Sequence, residues 1–299
     1  MRLLNFIPKA GAASQPGRVG ALTERGVVDL TAAHGLKPRE VIDLLRAGPA
    51  ALDEARDCAA RAGAGLTLDE LRLLPPVRRP AKFLGVGGNF HSHIAEAERL
   101  GAKTPPFPVW FNKQVNCVNG PFDPIWAPFD SEQLDYEAEL ALVIGRRCRR
   151  VSAAEALRYV AGFMVCNDVS IRDWQMRAPT ATAGKSFDTH GPIGPWLVTP
   201  DEVGDPGRLR IRAWVNGELR QDETTAGMVF DCATLVADLS QKCTLEVGDV
   251  LALGSPAGVG GLMTPPRYLR PGDEVRIEID RVGAIVNTVV AEPQEPTGA

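Results

Sequence analysis

The fold is indicated most clearly by residues 135–144, which read Asp135-Tyr136-Glu137-Ala138-Glu139-Leu140-Ala141-Leu142-Val143-Ile144. Successive side chains of a β-strand point to opposite faces of a sheet, so the spacing of two places Glu137 and Glu139 on one face. Two carboxylates that lie so close repel each other unless a cation sits between them. The pattern therefore suggests a metal site, and the alternative is a solvated edge strand with two surface glutamates.

A third carboxylate follows a second apolar run, Gly162-Phe163-Met164-Val165-Cys166-Asn167-Asp168. This run predicts a strand that brings Asp168 to the margin of the sheet. Three carboxylates from two strand ends suit an oxygen-ligated Mg2+ or Mn2+ with open positions for water and substrate. A helical turn beyond the strand would place Arg172 and Gln175 on the same side as Asp168, facing the substrate of that metal.

Two of the four histidines lie in the stretch Asn89-Phe90-His91-Ser92-His93-Ile94-Ala95-Glu96. A helix would place His93 and Glu96 on one face, where the glutamate orients the imidazole and raises its basicity. This pair is a candidate general base, and an inert surface histidine is the alternative. If the helix begins elsewhere, His91 becomes the candidate.

Two loops rich in small residues carry groups suited to anionic oxygens. Lys185 lies in Gly184-Lys185-Ser186-Phe187-Asp188-Thr189-His190-Gly191, which lacks the spacing of a phosphate-binding P-loop. The loop Gly254-Ser255-Pro256-Ala257-Gly258-Val259-Gly260-Gly261 offers backbone N–H groups and a hydroxyl to a carboxylate. Ordinary surface loops are the alternative for both segments.

Composition indicates an ordinary globular protein, with 44% hydrophobic and 23% charged residues in 299. A net charge of -4 gives no basic footprint for nucleic acid or an anionic membrane, so neither is an expected partner. No stretch approaches the roughly 18 apolar residues of a membrane span, and the start of the chain lacks a signal-peptide core. We therefore expect a cytoplasmic protein. The six scattered cysteines form no C-x-x-C pair and disfavour structural zinc.

The chain is expected to divide at a proline-rich segment. Residues 1–76 predict a small N-terminal α/β domain with alanine-rich helices between residues 39 and 61. The prolines in residues 74–80 predict a linker, because proline is excluded from helix interiors and central strands. Residues 77–299 alternate short β-branched runs with turn signals, including the hairpin signal Asn216-Gly217. This pattern predicts an α+β, β-rich fold of mixed sheets with a few helices.

Taken in order, the motifs resemble the fumarylacetoacetate hydrolase superfamily from about Lys82 to Val290. The similar elements are VGGNFHSHIAE, PVWFNK, NGPFDPI, DYEAELALVIG, GFMVCNDVSIRDWQ, GKSFDTHGPIGPW, VNGELRQ, GSPAGVG and LRPGDEVRIEI. Each element is weak alone, whereas their shared order is specific. The resemblance implies a catalytic domain of β-sheets rolled around the site, a small leading domain and a homodimer.

The resemblance also assigns roles to residues. Glu137, Glu139 and Asp168 match the metal ligands of the family, and His93 and Glu96 match a histidine and a glutamate on a mobile lid. The positions that match the substrate pocket are Lys185, Arg172, Gln175 and Ser255. Many members have a threonine where this chain has Ser255, so the hydroxyl is retained.

The resemblance implies a metal-dependent hydrolase that uses Mg2+ or Mn2+ on a small oxo-acid. The expected reaction cleaves a carbon–carbon bond in an acylpyruvate-like 2,4-dioxo acid, releasing pyruvate and a carboxylic acid. His93, oriented by Glu96, would activate water, and Lys185 would stabilise the departing enolate. The alternative is a decarboxylase or isomerase of a 2-oxo or 2-hydroxydienoate diacid in aromatic catabolism. A catalytically silent metabolite-binding protein is a third alternative. The loops at residues 99–108 and 176–183 are expected to set specificity.

Overall fold

The computed structural model of the protein describes residues 1–10, 16–31, 37–99, 101 and 103–294. Its strands are β1 (Arg2–Pro8), β2 (Arg18–Thr23), β3 (Gly26–Asp29), β4 (Leu71–Leu74), β5 (Phe83–Gly87), β6 (Val109–Lys113), β7 (Val118–Asn119), β8 (Ile125–Ala127), β9 (Leu134–Asp135), β10 (Ala138–Ile144), β11 (Val160–Asn167), β12 (Ser170–Ile171), β13 (Gly191–Val198), β14 (Arg210–Val215), β15 (Glu218–Thr224), β16 (Val250–Ala252), β17 (Glu274–Ile279) and β18 (Gly283–Ala291). Its helices are α1 (Val41–Ala47), α2 (Pro49–Arg61), α3 (His91–Glu98), α4 (Ala153–Ala156), α5 (Arg172–Gln175), α6 (Pro200–Val203) and α7 (Cys232–Lys242).

Strand β10 lies inside the larger sheet, whose order is β3-β2-β1-β13-β11-β10-β16-β5-β6. Every residue of β10 is buried. Leu140 and Leu142 face one apolar core, and Ala141 and Val143 face another on the opposite side. A strand that is buried on both faces has a continuous apolar run, and this explains the sequence from Leu140 to Ile144.

The smaller sheet covers one face of the larger one. Its order is β15-β14-β17-β18-β8, and inward residues such as Ile211 and Ile277 share the core of Leu140. The hairpin between β14 and β15 turns at Asn216 and Gly217, whose φ angles are 52° and 77°. Two positive φ angles are the signature of the predicted type I′ turn. The structure thus confirms a β-rich fold of mixed sheets with few helices.

The N-terminal segment contains both strands and helices, as predicted. Strand β1 pairs with β13, with Leu3 opposite Leu197, so the N-terminal strands extend the larger sheet. Both helices α1 and α2 fall within the predicted residues 39–61. The proline segment is anchored, because the Asn5 side chain donates to Pro75 O at 2.9 Å and Pro76 O at 3.0 Å. The domain boundary after residue 76 stays a prediction.

The stretch that gave the first fold signal is not one continuous strand. Strand β9 ends at Asp135 and β10 begins at Ala138, with Tyr136 and Glu137 between them. The Glu137 N–H donates to the side chain of Asn167 at 3.1 Å, so a side chain replaces the strand partner there. The predicted continuous strand is therefore wrong over these two residues, although the strand itself exists.

The helical turn predicted beyond the strand is present as α5, but it does not extend back to Asp168. Strand β12 follows Asp168 and pairs with β9, and α5 begins only at Arg172. The fold, rather than helical spacing, therefore determines where Arg172 and Gln175 lie relative to Asp168.

Within the described residues, no helix has the length and apolar character needed to cross a membrane. Of the predicted specificity loops, residues 100 and 102 lie outside the described residues.

We predict that Gly162→Ala destabilises the protein, because a Cβ at this position of β11 would lie 2.4 Å from Val198 O. Backbone cannot yield as a flexible side chain can, so the free energy of unfolding should fall by roughly 1–3 kcal/mol. Gly63→Ala is the matched control, since no described residue lies within 4 Å of its Cβ position. Urea unfolding measures both variants, and equal stability of the two would contradict the packing described for β11.

Candidate metal centre and active site

The structure brings together the three carboxylates predicted as metal ligands. Glu137 precedes β10, Glu139 lies in β10, and Asp168 follows β11. One oxygen from each lies within 4.8 Å of the others, and all three side chains are buried. Neighbouring strands β10 and β11 are antiparallel, with Ala138 opposite Asn167, so the start of one strand meets the end of the other.

Two buried lysines neutralise Asp168. Lys185 Nζ lies 2.6 Å from Asp168 Oδ2 and 2.9 Å from Glu137 Oε2. Lys113 Nζ lies 2.6 Å from Asp168 Oδ1 and donates to Lys185 O at 2.5 Å. Burial acts to lower the pKa of Lys113, but Asp168 opposes it and the pKa lies above its ordinary value. Lys113 therefore remains charged and holds both Asp168 and the backbone of Lys185.

Lys113 was not among the predicted site residues. It ends β6, and its side chain is buried above the ring of Phe83, 5.9 Å from the ring centre. The PVWFNK element contained it, but a lysine at the end of a short apolar run is ordinarily a solvated residue. Only the long-range pairing of β6 with β5, in which Lys113 is opposite Phe83, reveals its burial.

Arg172 is directed mainly at protein carboxylates. Its Nη1 lies 2.6 Å from Glu137 Oε1, and its Nε donates to Asp135 Oδ2 at 2.8 Å. The same Nη1 donates to Gln175 Oε1 at 2.9 Å. This bond fixes the orientation of the Gln175 amide. Oε1 accepts from Arg172, and the N–H groups of Nε2 can donate to another acceptor. The substrate-binding roles predicted for Arg172 and Gln175 stay predictions.

The glutamates of the cluster have opposite pKa shifts. Burial raises the pKa of Glu139 well above its ordinary value, and Asp168 and Glu137 raise it further. The Gly254 N–H, which donates to Glu139 Oε2 at 2.8 Å, opposes this shift. Burial also acts to raise the pKa of Glu137, but Lys185 and Arg172 outweigh it, so that pKa is lowered. Among the described residues, no lysine or arginine forms an ion pair with Glu139, whereas Glu137 and Asp168 each contact at least one.

The residues present fit a hard divalent cation. The cluster supplies only oxygen donors, which are the ligands that Mg2+ and Mn2+ prefer. When all four carboxylates are ionised, negative charge exceeds positive charge by one among the connected side chains. These are the carboxylates Asp135, Glu137, Glu139 and Asp168 and the cations Lys113, Arg172 and Lys185.

Helix α3 places His93, rather than His91, beside the cluster. His93 lines the cavity above the carboxylates, whereas His91 is exposed. His93 Nδ1 lies 3.6 Å from Glu96 Oε2, and the Gly258 N–H donates to the Glu96 carboxylate at 3.2 Å. The start of α3 is held by Asn89, whose amide donates to Leu253 O at 2.7 Å. The geometry thus matches the predicted pair, while its role as general base stays a prediction.

A cavity of about 230 Å3 opens on the cluster. Predicted site residues in its wall are His93, Glu137, Glu139, Arg172, Gln175, Lys185 and Ser255. Pro179, Thr180 and Ala181 also line it, so part of the predicted specificity loop at residues 176–183 reaches the cavity. A larger cavity of about 810 Å3 has none of these residues in its wall. The chemistry of its lining, rather than its volume, identifies the smaller cavity as the candidate site.

Buried carboxylates and cations with shifted pKa values, at the base of a small cavity, define an enzyme-type site. The chain belongs to the fumarylacetoacetate hydrolase superfamily, because the model of the fumarylacetoacetate (FAA) hydrolase C-terminal domain matches residues 82–290. The resemblance of the sequence motifs is thereby confirmed, and the protein is an enzyme of this superfamily.

Similar proteins differ in their reactions. A mitochondrial oxaloacetate tautomerase of Bos taurus is 42% identical over 267 residues, covering 89% of this chain and 84% of the relative. A mitochondrial oxaloacetate tautomerase of Xenopus laevis is 39% identical over 294 residues, covering 97% and 90%. The structure of maleylpyruvate hydrolase from Sphingobium sp. SYK-6, in complex with manganese(II) and pyruvate, has a TM-score of 0.80 and 31% identity, covering 98% and 100%.

We predict that Lys113→Met lowers the free energy of unfolding by roughly 3 kcal/mol, because it breaks a buried ion pair. The value lies at the low end for such pairs because Lys185 still neutralises Asp168. Lys82→Met is the control, since Lys82 is partly exposed and pairs with the buried Asp249 at 2.8 Å. Guanidinium unfolding measures both variants. A larger fall in the free energy of unfolding for Lys82→Met than for Lys113→Met would contradict the buried ion pair of Lys113 with Asp168.

Proposed function

We propose that the protein is a metal-dependent tautomerase that interconverts the enol and keto forms of oxaloacetate or a closely related small 2-oxo diacid. The observation that carries the proposal is the acidic cluster at the base of a cavity of only about 230 Å3. Pockets for drug-sized ligands span roughly 300–1,000 Å3, so a substrate of a few carbon atoms is favoured. The relatives named oxaloacetate tautomerase, about 40% identical to this chain, support the reaction type.

Glu137, Glu139 and Asp168 would hold Mg2+ or Mn2+. A divalent cation at this position supplies a Lewis acid for the negative charge that develops on an enolate oxygen. With all four carboxylates ionised, it would bring the charge of the cluster to one positive, which favours an anionic substrate. The oxygen donors of the cluster accept either metal, so the proposal covers both.

The chain itself would position the substrate and move its proton. Keto–enol exchange moves a proton between C3 and the oxygen on C2 of the 2-oxo acid. In the keto-to-enol direction a base takes the proton from C3 and the enolate oxygen on C2 gains a proton, and ketonisation reverses both transfers. His93 lies in the cavity wall with Glu96 beside it, so its imidazole is the group available for this exchange. Gln175 Nε2 and the Lys185 ammonium would donate to substrate oxygens, where their fixed positions lower the cost of reorganisation.

Carbon–carbon bond hydrolysis of an acylpyruvate is the second candidate. The His93 and Glu96 pair favours it, because a base that accepts a proton from C3 can also accept one from water. The similar fold of a maleylpyruvate hydrolase, recorded with manganese and pyruvate, supports this alternative. The two reactions differ in product: hydrolysis consumes water and releases two acids, whereas tautomerisation leaves the carbon skeleton intact.

A homodimer and a cytoplasmic location remain proposals. The dimer rests on the family resemblance alone. The curated relatives are named as mitochondrial, and that location is theirs. A monomeric mass by light scattering would contradict the dimer.

The first functional prediction is that the protein accelerates the decay of enol-oxaloacetate above the rate in buffer with the same metal. EDTA should abolish this acceleration, and Mg2+ or Mn2+ should restore it, because the cluster needs a cation to stabilise the enolate. Ultraviolet absorbance follows the enol, and NMR follows products from a parallel panel of acylpyruvates and fumarylpyruvate. Metal-dependent release of pyruvate and a second acid, without enol decay, would replace the tautomerase by the hydrolase.

The second prediction separates the two histidines of α3. His93→Ala should lower kcat by roughly 10²- to 10⁴-fold, the usual contribution of a positioned acid–base group. His91 is exposed and lies two residues before His93, so His91→Ala should leave kcat unchanged. Steady-state kinetics on enol-oxaloacetate measures both. Equal loss from the two variants would point to a disturbed helix, and loss from His91→Ala alone would reverse the assignment.

A further inference from the structure

Asp135 is fully buried at the end of β9 and is absent from the cavity wall. Both of its carboxylate oxygens accept hydrogen bonds from the protein. The Gly260 N–H donates to Oδ1 at 2.8 Å, and the Gly261 N–H donates to Oδ2 at 2.8 Å. Arg172 Nε donates to the same Oδ2 at 2.8 Å. Asp135 is therefore engaged on two sides by elements that carry different parts of the active site.

One side leads to the acidic cluster. The guanidinium of Arg172 contacts Asp135 through Nε and Nη2, both at 2.8 Å, and Glu137 through Nη1 at 2.6 Å. Asp135 thus shares the positive charge of Arg172 with Glu137. Without a carboxylate at position 135, this charge would fall more fully on Glu137, and the arginine would compete with a cation for the Glu137 oxygens.

The other side leads to the histidine of α3. Gly260 and Gly261 belong to the loop in which the Gly258 N–H donates to Glu96 at 3.2 Å. This loop has no spare room: a Cβ on Gly260 would lie 2.2 Å from Arg267 O, and one on Gly258 would lie 2.0 Å from Arg220 O. A shift of the loop away from Asp135 would therefore be transmitted to Glu96, beside His93.

We propose that Asp135 is a positioning residue that couples the two halves of the site. Through Arg172 it sets the orientation of Glu137 and how strongly the guanidinium competes for the Glu137 oxygens. Through the glycine loop it sets the position of Glu96. The metal half of this inference rests on the proposed function, whereas the loop half does not. Partners of this kind, behind the ligands themselves, contribute roughly 10- to 100-fold to metal affinity or activity.

The test compares Asp135→Asn with Asp249→Asn. Asp249 is an equally buried carboxylate that accepts from Lys82 N at 3.0 Å and from Glu246 N at 2.8 Å, and it is absent from the cavity wall. Both changes remove one charge from a network of backbone donors. They should therefore lower thermal stability, and only Asp135→Asn should alter the site.

Two readouts are taken on the full chain. Titration calorimetry with Mn2+ alone should show affinity weakened by roughly 10- to 100-fold in Asp135→Asn and unchanged in Asp249→Asn. Hydrogen–deuterium exchange should become faster in residues 91–98 and 258–261 of Asp135→Asn only. If Asp135→Asn does not fold, Gly261→Ala replaces it, because its Cβ would press on Asp135 Oδ2 at 3.1 Å. This variant should change both readouts in the same direction.

Mn2+ affinity and exchange that match the wild type in Asp135→Asn would overturn the inference. Equal changes in Asp249→Asn would also overturn it, since any loss of stability would then produce them. If the wild-type protein binds no Mn2+, the proposed metal-dependent function fails, and the exchange experiment alone decides whether Asp135 positions the loop of Glu96.

Discussion

The constraint on which this structure depends is the burial of three carboxylates within 4.8 Å of one another. Removing an ion from water costs several kcal/mol even after the protein relaxes, so the cluster requires compensating charge. Lys113, Lys185 and Arg172 supply most of it, and each contacts Asp168 or Glu137 directly. Glu139 accepts a hydrogen bond from the Gly254 N–H, and burial together with the nearby Asp168 and Glu137 raises its pKa. A divalent cation would complete this arrangement.

The sheets provide the rigidity that such a cluster needs. Strand β10 is buried on both faces, between two apolar cores, so Glu139 lies on one of the best supported strands of the fold. The groups expected to move protons lie instead on α3, a short helix held at its start by Asn89 and near its end by the contact of Glu96 with Gly258. A fixed ligand set and a separately held base are what precise placement of a small substrate requires.

Local sequence patterns predicted the parts of the site that depend on local spacing. The spacing of two correctly predicted that Glu137 and Glu139 lie together, although Glu137 lies just outside β10. The Asn216-Gly217 turn was also predicted correctly, because its type requires two positive φ angles. The break in the strand before Ala138 was not predicted, because it depends on a distant residue. The Ala138 N–H donates to the Gln221 side chain at 2.9 Å. Lys113 and Asp135 were missed for the same reason: their burial depends on long-range pairings that no local period contains. Motif order supplied the family, and the family contains more than one reaction.

Anomalous diffraction from crystals soaked in Mn2+ tests most directly whether the acidic cluster is a metal centre. We expect one strong peak at the manganese edge, from an ion bonded to oxygens of Glu137, Glu139 and Asp168 at roughly 2.0–2.3 Å, within the range for hard divalent cations. The Lys185 ammonium should remain beside Asp168. A peak elsewhere, with the three carboxylates bound only to lysine and arginine, would contradict a metal centre and leave the cluster as a structural ion network.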